Sequence, residues 1–95
     1  MSELALLKKQ IIPVLKKYGI KKAGIFGSYA KGTAKKKSDV DILIQPPKKF
    51  SLLDLVGLQN ELIKVTNKKI DVNTYRALHP YVKKEVLKSE VKVYG

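Results

Sequence analysis

Apolar residues recur at Leu4, Leu7, Ile11, Leu15 and Tyr18 with lysines between them, a spacing that puts them on one side of a helix over residues 3–18. Pro13 falls inside this stripe and is expected to kink the helix or split it in two, because proline removes a backbone donor and crowds the preceding turn. Gly19 supplies a stop. The period then changes to two. "KKAGIF" reads as a short strand running into Gly27, and residues 39–44 alternate Asp39, Asp41 and Leu43 against Val40, Ile42 and Ile44. Between these strands, "SYAKG" predicts one helical turn and "TAKKK" a charged loop.

The tandem prolines Pro46 and Pro47 cannot continue a sheet, so "QPPKKF" is a turn. Ser51 and Asp54 have the spacing of a capping box, and a helix is expected from there to about Asn67. "KKIDVNT" alternates again, with Ile70 and Val72 on one face and Lys69, Asp71 and Asn73 on the other. Pro80 suits the first turn of a last helix ending near Ser89, and "VKVY" a closing edge strand. No repeat or linker divides residues 1–95. The order of elements predicts a single small α/β (α+β) domain, a mixed sheet with helices on one face.

Composition narrows the function. No apolar run approaches the roughly 20 residues of a membrane span. Lys8 and Lys9 interrupt the first apolar residues, which does not fit a signal peptide, so a cytoplasmic protein is expected. Without cysteine there is no disulfide framework and no thiolate metal site. The net charge of +12 implies a polyanionic partner, yet the lysines are scattered doublets of the kind that face water. Base readers lean on arginine forks and stacked aromatics, whereas this chain has Arg76 alone and no tryptophan. Sequence-specific nucleic-acid recognition is therefore disfavoured, and direct nucleic-acid binding of any kind is not favoured.

The acidic residues are few and phased. Asp39 and Asp41 are two apart on a strand, so both leave the same face, with α-carbons roughly 6–7 Å apart. Asp71 has the same phase in its own strand, so the three carboxylates converge on one patch if the two strands are adjacent. The plainer reading is that they cover the solvent face of a sheet. Aspartate is a poor strand residue, however, and three adjacent carboxylates would raise one another's pKa unless a cation joined them. Magnesium takes such hard oxygen ligands, together with substrate phosphates. The Gly27-Ser28 turn exposes backbone N–H groups and a hydroxyl to an anion, with Lys31 close by, which makes a phosphate cradle within reach of the aspartates.

Gly-Ser, a spacer, Asp-x-Asp and a later aspartate resemble the signature of the nucleotidyltransferase superfamily that includes DNA polymerase β. Within it, "FGSYAKGTAKKKSDVDILI", "SLLDLVGLQNEL", "KKIDVNT" and "ALHPYVKKEVL" are similar to the minimal nucleotidyltransferase (MNT) family, over about Ile20 to Tyr94. The resemblance implies a polymerase β-like fold and a transferase that uses ATP. It implies an MNT antitoxin paired with a HEPN-domain toxin, which moves AMP to a tyrosine hydroxyl of that partner by a two-metal, in-line reaction. Asp39 and Asp41 would then bind two magnesium ions, and Asp71 would complete one site and help activate the attacking hydroxyl. Gly27, Ser28 and Lys31 would hold the β- and γ-phosphates, and Ser38 would brace the loop entering the strand. Family members often carry arginine where this chain has Lys31, which keeps the charge and loses the planar fork.

Two features bear on a partner. The residues from 1 to 95 are expected to leave no room for an acceptor-binding domain, and the helix at 51–66 is apolar nearly all round, from Leu52, Leu53 and Val56 to Leu62 and Val65. Part of that surface is expected to dock a protein. Tyr75, His79 and Tyr81 form a second cluster, in which His79 before Pro80 reads as a helix-entry residue. Two other classes stay open on the residues alone: a non-catalytic antitoxin that acts by binding, and a basic nucleic-acid-binding protein.

Overall fold

The computed structural model describes residues 3–27 and 39–95. Its elements are α1 (Glu3–Lys17), β1 (Lys22–Phe26), β2 (Val40–Gln45), α2 (Leu52–Thr66), β3 (Ile70–Thr74), a 3-10 turn (Tyr75–Ala77), α3 (Pro80–Ser89) and β4 (Val91–Tyr94). The helical turn expected in "SYAKG", the loop "TAKKK" and the site residues Ser28, Lys31 and Ser38 lie outside the described residues.

α1 runs through Pro13 as one helix, so the expected split does not occur. Pro13 is exposed, while Leu7, Ile11, Val14 and Leu15 are buried and hold both halves against the core. Gly19 ends the helix at φ +73°. Its N–H donates to the Lys16 carbonyl (3.0 Å) and the Ile20 N–H to that of Leu15 (3.1 Å), which satisfies two of the last helical carbonyls. α2 opens on the expected capping box: the Asp54 N–H donates to Ser51 Oγ and the Ser51 N–H to Asp54 Oδ2. Asn67, at φ 55°, closes it in the left-handed region.

The sheet order is β3-β2-β1-β4, with β4 at an edge as expected. β1 is antiparallel to both β2 and β4. β2 and β3 are parallel, as the long crossover through α2 allows. α1 and α2 cover one face, where Leu7, Ile11, Leu15, Leu58 and Leu62 pack against β-strand residues that include Ile25, Ile42 and Val72. α2 does not bury its whole apolar surface: Leu52 and Leu53 remain 75% and 83% exposed, and Val56 and Val65 about half exposed. No described helix is long and apolar enough to cross a membrane.

The opposite face carries Asp41, Leu43, Asp71 and Asn73. Leu43 is fully buried there, outside the main cluster. Near it the Tyr75 hydroxyl donates to Glu90, which lies against Gly24, where any Cβ would collide with the carboxylate. Burial first, and the bond to Glu90 next, push the Tyr75 hydroxyl far above its usual pKa, so it stays a donor.

Candidate active site

Asp41 and Asp71 are direct partners in the β2–β3 register. In neighbouring strands about 4.8 Å apart, such partners project from the same face side by side. Asp39 stands immediately ahead of β2, two residues before Asp41 and on the same phase. The structure thus brings the three aspartates to one end of one sheet face. Asp39 and Asp71 are exposed and line a cleft of about 570 Å³, together with Gln59, Ile63 and Asn67 from α2 and its cap.

Asp41 is more enclosed. Phe26 is its partner on the β1 side, and the next residue, Gly27, turns the chain out of the strand at φ +76°. A Cβ on Gly27 would lie 2.5 Å from Asp41 Oδ2. The glycine is therefore required twice, by its backbone angle and by the carboxylate resting against it. Spacing along the chain does not reveal this contact.

Electrostatics follow from the packing. Burial pushes the Asp41 carboxyl above its ordinary value, and the charges of Asp71 and then Asp39 push it the same way. A bound cation would reverse that penalty. Among the described residues, no three acidic, His or Cys side chains close around one point to hold an ion unaided. A magnesium ion at this site would therefore have to complete its octahedron with water and substrate phosphates, as magnesium commonly does. Adding magnesium at neutral pH should raise the melting temperature of the metal-free protein. The gain should shrink as pH falls toward the ordinary carboxylate range, where Asp41 already takes up a proton. A melting temperature indifferent to magnesium at neutral pH would count against a cation at this site.

Asn73 was not singled out from sequence, although it shares the phase of Asp71 two residues on. Its Nδ2 donates to Asp71 Oδ2 (3.4 Å) and so limits where that carboxylate can turn. His79 is the helix-entry residue expected: its Nδ1 accepts the Tyr81 N–H at the start of α3, and its ring stacks on Tyr81.

Residues 9–95 match the family model described as Polymerase beta, Nucleotidyltransferase. A protein of Methanocaldococcus jannaschii named as a protein adenylyltransferase is 48% identical over 87 residues, 92% of this chain and 94% of its own length. Protein adenylyltransferase MntA of Thermococcus cleftensis is 35% identical over 77 residues, 81% of this chain and 78% of its own. Among solved structures, a minimal nucleotidyltransferase superposes with a TM-score of 0.83 at 26% identity, over 95% of each chain. A toxin–antitoxin structure with AMP-PNP gives 0.81 at 21% identity, covering 93% of this chain and 73% of the matched one. A complex of tri-AMPylated Shewanella oneidensis HEPN toxin with MNT antitoxin gives 0.75 at 18% identity, over 97% and 72%. At such identities these last two speak for the fold alone.

Proposed function

The chain belongs to the polymerase β nucleotidyltransferase family, and from that premise we propose that it is a cytoplasmic protein adenylyltransferase of a toxin–antitoxin pair, which moves AMP from ATP to a tyrosine hydroxyl of a HEPN-domain toxin. The observation that carries this reading is the in-register Asp41–Asp71 pair with Gly27 folded against Asp41. It sets the carboxylates against the start of the Gly27 turn, where the phosphates are expected. The similarity over 92% and 81% of this chain to relatives named as protein adenylyltransferases supports protein as the acceptor. The exposed leucines at the start of α2 support a docked partner.

In this mechanism Asp39 and Asp41 would hold magnesium and Asp71 would help complete one site, within a single domain spanning residues 1–95. When bound, magnesium supplies positive charge beside the triphosphate and offsets the charge that develops during transfer. Gly27 lets the chain turn closely over Asp41, and with Ser28 and Lys31 it holds the β- and γ-phosphates, while Ser38 braces the entry to β2. Asp71, exposed at the cleft, draws the proton from the attacking hydroxyl, and Asn73 keeps its carboxylate oriented. A bond forms from the partner's oxygen to the α-phosphorus as the bond to the β-phosphate oxygen breaks, releasing pyrophosphate.

Co-expression with a HEPN-domain toxin tests the reading. The toxin's intact mass should rise by whole AMP units with the natural chain and stay unchanged with Asp39→Asn/Asp41→Asn. A toxin silenced equally by both, with no mass change, would make this a binding antitoxin and end the enzymatic reading.

A further inference from the structure

The far end of the sheet has the opposite character. Lys21, Lys48, Arg76 and Lys83 line a second cleft of about 660 Å³ with the rings of Phe50 and Tyr75. No carboxylate lines it, and among the described residues none of these four cations is in an ion pair. Arg76 is the single arginine of the chain. The cleft meets β2 at Ile44 and Gln45, about 10–13 Å along the strand from Asp41 at roughly 3.3 Å per residue. It is separate from the carboxylate site.

Its walls are held in place. Pro46 and Pro47 fix the backbone on one side. On the other, Thr74 Oγ1 accepts the Ala77 N–H (3.2 Å) and shapes the turn that presents Arg76. Tyr75 is anchored by its hydroxyl to Glu90, and Lys22 Nζ stands 4.9 Å from its ring centroid. A preformed cleft spends less of its binding energy on ordering.

Four unpaired cations repel one another and favour an anionic ligand. The two rings narrow the class further. An acidic peptide offers charge without flat faces, and a duplex hides its base faces in the stack. A single strand offers phosphates for the cations and bases for the rings. We infer that this cleft binds a short stretch of single-stranded nucleic acid, irrespective of sequence. The inference is independent of the transferase reading, and it accounts for a lone arginine where base-specific recognition would need several.

Anisotropy of a labelled ten-nucleotide RNA, measured on the full chain without magnesium, tests it. Binding should occur, and also in Asp39→Asn/Asp41→Asn. With four phosphate contacts and a slope of about −0.7 per contact, affinity should fall roughly 50-fold between about 50 and 200 mM salt. Lys48→Glu/Arg76→Glu should weaken binding at least tenfold more than Lys9→Glu/Lys64→Glu, which changes the net charge equally. All four residues are exposed, so the fold should survive both changes. Equal losses in the two pairs would reveal diffuse attraction and overturn the assignment. So would an absence of RNA binding, a duplex that binds as tightly, or polyglutamate that displaces the RNA at equal charge.

Discussion

Asp41→Asn should raise the melting temperature of the metal-free protein while reducing nucleotidyl transfer by roughly 10³-fold, the scale set by removing one preorganised electrostatic group from a site of developing charge. The two effects have one cause. Burial, Asp71 and Asp39 all raise the proton affinity of Asp41 in the fold. A carboxyl whose folded pKa exceeds its unfolded one costs stability as pH rises through that window, and the cost persists in full at neutral pH. Asparagine keeps the shape and removes the charge, so the penalty disappears. What is lost is the candidate ligand that sits between β1 and β3. Differential scanning calorimetry with and without magnesium, beside an intact-mass transfer assay, reads both effects. A variant that melts lower than the natural chain without metal would show that Asp41 is stabilised by neighbours rather than strained by them. One that still transfers AMP at near-natural rates would remove Asp41 from the chemistry.

Local structure was legible because each signal was local. Ser51 and Asp54 bond to each other across one turn, Gly19 and Pro80 act on their own backbone, and the alternation in 39–44 and 70–74 is read within single strands. Of the kink or split expected at Pro13, the split is absent, because the buried side of α1 holds the helix together across an exposed turn. The candidate site was half legible. Phase placed Asp39, Asp41 and Asp71 on like faces, but only the parallel β2–β3 pairing, a long-range choice, put Asp41 beside Asp71. The basic cleft was illegible for the same reason. Its residues come from the turn before β1, the end of β2, the proline turn, the end of β3, the 3-10 turn and α3, and along the chain its lysines look like the other scattered ones.

Gly27→Ala should be the most damaging single change outside the carboxylates, because it acts on stability and on the site together. At φ +76° an alanine costs about 1–2 kcal/mol relative to glycine, or roughly 5–15 °C in melting temperature for a domain of this size. The new Cβ would also stand 2.5 Å from Asp41 Oδ2. A carboxylate at the end of a short side chain can rotate away at little energetic cost, so this collision should show in activity more than in stability. A ligand displaced by about 1 Å can lower the rate on the order of 10²-fold. Gly27→Asn separates the two effects. Asparagine tolerates the left-handed backbone better than alanine and should recover part of the lost stability, yet it carries the same Cβ and should remain as inactive. Melting curves and magnesium-dependent ATP affinity, measured for both variants, distinguish them. Transfer that recovers in step with stability in Gly27→Asn would mean the glycine serves the backbone alone, and that Asp41 does not need the space it leaves.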